Sequence, residues 1–211
     1  LYIDHYSRDV ASIGNTILNS TFTGLLYQNS SGVITGNTMH NNSNGIYYAG
    51  QVNLAGSVTQ VGSMTGNVLY GLAENAWTLS LDGGSLLSSD HNYFFHPYVP
   101  MQITTGGWAG RKTFPEWQTW SGQDSSSEEN WFVLTLGDPP LSKIFINPTE
   151  DPVVLSLEPR KYLDLDQTPV ATSLTLAPFS SRVLIDDGPS DNIFADGFES
   201  GDPSAWSDVV Q

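Results

Sequence analysis

The chain has 211 residues, with 20 glycines, no cysteine, and seven Lys and Arg against 22 Asp and Glu, for a formal net charge of −15. That composition excludes disulfides and thiolate metal sites, and it disfavours nucleic acid and anionic membrane surfaces as partners. Only 14% of residues are charged, and no run approaches the ~18 apolar residues of a membrane span, which suits a turn-rich, all-β protein with no membrane insertion.

From the N-terminus a phrase repeats. Ile13-Gly14-Asn15-Thr16-Ile17 returns as Thr35-Gly36-Asn37-Thr38-Met39 and again as Thr65-Gly66-Asn67-Val68-Leu69, the first two 22 residues apart. A fixed period of that length, without a helical pattern, fits one coil of a parallel β-helix whose coils bury their inward faces on one another. Asn15, Asn37 and Asn67 would then superpose as a hydrogen-bonded ladder, with each preceding Gly supplying a left-handed corner. Unrelated Gly-Asn hairpin turns are the alternative. Tyr2–Tyr6, Gly24–Tyr27 and Gly45–Tyr48 occupy equivalent places, so residues 1–80 read as three to four coils. The period stretches to 30 residues between Gly36 and Gly66, which predicts a loop over Ala49–Ser57. His40, Tyr47, Tyr48 and Tyr70 could line an exposed strip there, or be ordinary strand residues.

The stretch from Ser30 to Tyr48, SSGVITGNTMHNNSNGIYY, resembles the repeat of right-handed parallel β-helix proteins, which include many secreted polysaccharide lyases, glycosidases and epimerases. The resemblance implies a secreted or cell-surface location and a polysaccharide partner. It does not imply one reaction, because the same repeat carries many chemistries. The chain opens on Leu1 within a repeat, so it is expected to be the C-terminal piece of a longer protein, with upstream coils or a neighbouring copy against its first coil.

Residues 81–110 lose the period. Asp90 and Asn92 are expected to form local Asx turns. His91 and His96 with Asp90 could be a metal or acid–base cluster, or structural. Thr113-Phe114-Pro115-Glu116 is a capping box that opens a short helix ended by Gly122, with Trp117 and Trp120 at i, i+3 facing inward to close the coils. Trp117, Gln118, Gly122, Asp124 and Ser127 resemble a recurrent motif near the end of such β-helices. A sugar-stacking platform is the other reading of these tryptophans.

The expected organisation is therefore β-helix coils over 1–136, with the capping helix near 113–122, and a small antiparallel β-domain over 137–187. An acidic tail over 188–211 follows the linker Gly188-Pro189-Ser190. Residues 138–211 carry 13 acids and four bases against nine and three before them, an excess that suits solubility. The tail's Asp191, Asp196, Glu199 and Asp202 make calcium possible; no other cofactor or metal site is expected.

A hydrolase needs two carboxylates about 5–9.5 Å apart. Glu74 and Asp82 rank first because they flank Trp77, a candidate sugar platform together with Tyr47, Tyr48 and Trp108. A polyuronate lyase needs preorganised positive charge, and Arg8 is the one Lys or Arg in residues 1–110. Cleavage of polyuronates by this piece alone is therefore not expected. The function expected is that of a carbohydrate-active or carbohydrate-binding β-helix protein. The alternatives are a structural or adhesive solenoid that self-associates, and a binding module within a larger enzyme.

Overall fold

Short β-branched and aromatic runs, interrupted by Gly, Asn and Ser, can form only short strands, and the protein is mostly β with a single helix among the described residues. The computed structural model describes residues 1–49, 60–82, 85–106 and 110–190. The loop expected over Ala49–Ser57 lies outside them save for Ala49, as do Trp108 and the tail with its candidate calcium ligands. The chain divides into two compact units, Leu1–Pro140 and Leu141–Gln211.

In the first unit, strands β1 (Tyr2–Ile3), β2 (Val10–Ile13) and β3 (Thr16–Leu18) each begin a different sheet. The next strands, β4 (Leu25–Gln28), β5 (Ser31–Thr35) and β6 (Thr38–His40), pair with them in the same order, all parallel. The rotation repeats with β7 (Asn44–Ala49), β8 (Gln60–Thr65) and β9 (Val68–Tyr70). It continues with β10 (Trp77–Asp82), with β11 (Ser85–Leu86) and β12 (Ser89–Asp90) both on β8, and with β13 (Tyr93–Phe95). Strand β14 (Ile103–Thr104) extends the first sheet, and β16 (Glu128–Glu129) adds to the third beside β13. Only β15 (Arg111–Lys112) breaks the pattern, running antiparallel to β14.

Register explains the core. Leu25, Ile46, Leu79 and Ile103 align across the first sheet, and Ile17, Met39, Leu69 and Phe94 across the third. With Ile34 and Met64 from the second sheet, they meet in one apolar cluster. Each fully buried side chain of this size contributes about 1.5–3 kcal/mol. Helix α1 (Phe114–Ser121) drops Phe114 and Trp117 into the same cluster, the Phe114 ring 5.2 Å from that of Phe94. Its capping box forms as the sequence predicts, and Gly122 ends it at φ 67°.

The period does not fail after residue 80. Asn92 follows Asn67 by 25 residues and holds the next place in the register, but His91 stands where Gly14, Gly36 and Gly66 stand. Those glycines sit at φ 66°, 64° and 67°, and His91 takes the same corner at φ 57°. A left-handed residue with a Cβ costs on the order of 1–2 kcal/mol, which the flanking pairings offset. Without its glycine, the fourth return of the phrase is hidden in the sequence.

The second unit is antiparallel, as its spacing predicts. Strand β21 (Ser181–Pro189) lies between β17 (Ser142–Ile146) and β19 (Arg160–Leu163), while β18 (Val153–Ser156) pairs with β20 (Ser173–Leu176). Leu157, Tyr162, Leu174, Leu176 and Leu184 form its core. The expected linker at Gly188–Ser190 instead begins inside β21. Pro189 pairs with Arg160, and the Gly188 and Ser190 amides donate to Asp186 Oδ1 and the Pro159 carbonyl, at 2.9 and 2.8 Å.

Candidate functional site

Glycine corners place successive asparagines over one another, and the result is a directional amide ladder. Asn15 donates its backbone N–H and its Nδ2 to Asn37 Oδ1 at 2.9 and 2.8 Å. Asn37 donates the same pair to Asn67 Oδ1, both at 3.0 Å, and Asn67 to Asn92 Oδ1 at 3.0 and 2.9 Å. Each Nδ2 also reaches backbone carbonyls, from Asn37 to Ser12 O at 2.8 Å and from Asn67 to Ile34 O at 3.0 Å. Asn37, Asn67 and Asn92 are buried, so each rung satisfies groups that would be costly to bury unpaired.

Asp124 ends the ladder, and it too has a left-handed backbone, φ 59°. Its Oδ1 accepts from Asn92 Nδ2 at 3.1 Å, Ser89 Oγ at 2.9 Å and Ser127 Oγ at 2.6 Å. Its Oδ2 accepts from the Trp117 indole Nε1 at 2.8 Å. The Asn92 N–H, which elsewhere would meet an amide oxygen, goes to Ser127 Oγ at 2.8 Å, and Gln118 Nε2 donates to the Asp124 carbonyl at 2.7 Å. A carboxylate accepts and passes nothing on, so the chain of donors stops there. The end-of-helix motif noted in the sequence thus builds one device, although its link to the asparagine ladder was not legible. Adding Asn92 and then Asp124, 32 residues on, requires knowing that the third sheet gains β16.

Of the residues named as candidate catalysts and sugar binders, Trp108 lies outside the described residues and the others fall on or beside the neighbouring strands β7 and β10. Glu74 is exposed in the turn before β10, and Asp82 is the last residue of that strand, so β10 lies between them. Trp77 is half-buried under the Arg111 guanidinium, 4.6 Å from its ring centroid. Tyr47 and Tyr48 hold register with Leu26 and Tyr27 on one side and Ser80 and Leu81 on the other; their side chains are outside the described residues. Trp117 is buried, but Trp120 is 59% exposed, contrary to the expected inward pair. At i+3 it rides on the Trp117 ring, centroids 5.7 Å apart, with Lys112 Nζ 5.2 Å from its own centroid.

The two histidines stand in different surroundings. His91 is exposed beside Asp90, with Nδ1–Oδ2 3.4 Å, while His96 is buried and holds the Ala73 carbonyl and the Val99 N–H. Among the described residues no group of three or more His, Asp or Glu could hold a metal, and no helix is long and apolar enough to cross a membrane. No family model, curated protein or solved structure matches the chain.

His40 and Tyr70 do not form an exposed strip. They are buried, stacked in register with Leu18 and Phe95, with ring centroids 5.2 Å apart between His40 and Tyr70 and 5.6 Å between Tyr70 and Phe95. Burial pushes the His40 imidazole down to about 4. The unfolded chain takes up this proton near pH 6.5, the folded chain only near 4. Stability present above pH 6.5 is therefore lost as pH falls towards 4, and about 2 kcal/mol should be gone by pH 5.0. Urea denaturation at pH 7.5 and 5.0 checks this: His40→Leu should lose less than the parent, and equal losses would rule out the assignment.

Proposed function

We propose that the first unit is the closing end of a right-handed parallel β-helix in a secreted or cell-surface protein, and that its role is structural. It terminates the stack and keeps the last apolar layer from pairing with other chains. The observation that carries this reading is the amide ladder ending in an acceptor-only Asp124, with Trp117 and Phe114 over the core. The sheets visited in rotation support a closed solenoid, and the −15 charge supports a solvated, non-adhesive surface. Deleting residues 110–140 tests the role. The parent should remain monomeric by light scattering at high concentration, and the deletion variant should associate through its opened end. A deletion variant that stays folded and monomeric, or a parent that polymerises into fibres, contradicts the reading.

A second reading, carbohydrate binding, rests on exposed Trp120 and half-buried Trp77, each paired with a cation from β15. It expects retardation on a panel of neutral polysaccharides in affinity electrophoresis, lost on Trp120→Ala. The acidic surface disfavours polyanions here.

A further inference from the structure

After β16 the chain runs through Trp131-Phe132-Val133-Leu134-Thr135-Leu136, a stretch of strand-forming residues that belongs to no sheet. Exposure alternates along it as on a strand. Val133 is 80% exposed and Trp131 and Thr135 are exposed too, while Phe132 and Leu134 between them are half-buried. One edge of this backbone is held. The Leu134 N–H donates to the Pro97 carbonyl at 2.8 Å, and Asn130 Nδ2 donates to the Phe132 carbonyl at 2.8 Å. The Thr135 N–H donates to Asp138 Oδ2 at 3.0 Å. The N–H and C=O groups of Trp131 and Val133 meet no partner among the described residues. In an extended chain successive residues aim these groups to opposite edges, so those of Trp131 and Val133 leave on the side away from Pro97.

We infer that this free edge at Trp131 and Val133 is a docking surface for an extended, basic peptide segment of another protein, which adds to it as a strand. Trp131 and Val133 would each exchange N–H and C=O bonds with one peptide residue, and an apolar peptide side chain would cover Val133. Charge selects what flanks that apolar core. Between Lys112 and Lys143 the sequence has no Lys or Arg, and Glu128, Glu129 and Asp138, all exposed, bracket the strip. Lys or Arg on either side of the peptide would meet these acids, and the −15 net charge draws a basic partner in. The same acids disfavour a second copy, because two identical strips side by side would crowd the carboxylates of one against those of the other. The strip takes no part in the amide ladder or the Trp117 seal, so the inference goes beyond the closing role proposed above.

The test titrates the full chain with a capped peptide, Lys-Lys-Val-Thr-Val-Thr-Val-Lys-Lys, and follows backbone amides by nuclear magnetic resonance. Shifts should centre on residues 131–135, and the Trp131 and Val133 amides should exchange more slowly once the peptide is bound. A peptide with Glu in place of every Lys should bind about tenfold more weakly at low salt, and the gap should narrow as salt is added. Val133→Pro removes a docking N–H that bonds nothing in the free protein, so it should leave the urea midpoint in place and weaken the Lys peptide about fivefold or more. Glu128→Gln with Glu129→Gln should weaken the Lys peptide and flatten its salt dependence. Shifts scattered over the acidic surface would overturn the inference, as would equal binding of the two peptides, binding of neither, or full binding by Val133→Pro. Self-association of the parent abolished by Val133→Pro would also overturn it, since the edge would then take a second copy. Any of the first four results, in a parent that is monomeric with protected ladder amides, rejects the docking surface alone and leaves the closing role standing.

Discussion

Replacing Asp124 with alanine is expected to lower the unfolding free energy of the first unit by roughly 3–5 kcal/mol. Four donors, from Ser89, Asn92, Ser127 and Trp117, converge on its carboxylate in a buried site. Leaving a buried donor unmet costs about 1–3 kcal/mol each, partly relieved where a hydroxyl can rotate or water can enter. Asp124→Asn is the sharper comparison. It keeps the volume but turns an NH₂ towards groups that themselves donate, so it should recover only part of the loss. Denaturation followed by far-ultraviolet circular dichroism measures both. A loss below about 1 kcal/mol for Asp124→Ala would mean that the ladder's end is not a stabilising contact.

Trp117→Ala should be of similar size, about 3–5 kcal/mol, because it opens a large cavity beside Phe94 and Phe114 as well as freeing Asp124 Oδ2. Trp117→Phe keeps most of the apolar volume and loses the indole donor, so about 1–2 kcal/mol is expected. Trp120→Ala removes an exposed ring and should change stability by less than about 1 kcal/mol. Because Trp117 and Asp124 share a hydrogen bond, the double alanine variant should lose less than the two single losses combined. An equal cost for Trp117→Ala and Trp120→Ala would contradict the one-sided burial of α1.

Much of this arrangement was legible in the sequence because the local chemistry is strict. A left-handed corner favours glycine, and an asparagine after it can bond both ways, so Gly14-Asn15, Gly36-Asn37 and Gly66-Asn67 announced the first three rungs. The capping box at Thr113 and Glu116 was readable for the same reason, with every partner within four residues. What was not legible depends on neighbours distant in sequence. His91 disguised the fourth corner, and the partnership of Asn92 with Asp124 spans 32 residues with no repeated phrase to flag it. Aromatic periodicity misled at Trp120, because the end of an eight-residue helix lies beyond the core it seals. It misled again at His40 and Tyr70, which stack on each other and not towards solvent. The candidate catalytic pair had no such local signature, and the residues that carry the strongest geometry, Asp124 and Trp117, are buried.

One polar ladder, open at Asn15 and closed at Asp124, runs through the first unit. Hydrogen exchange of the asparagine side-chain amides, followed by nuclear magnetic resonance in the parent chain, tests it most directly. Nδ2 protons should be strongly protected at Asn67 and Asn92, less so at Asn37, and should exchange fastest at the open rung, Asn15. Side-chain amides of Asn67 and Asn92 exchanging as fast as those of an exposed asparagine would contradict it.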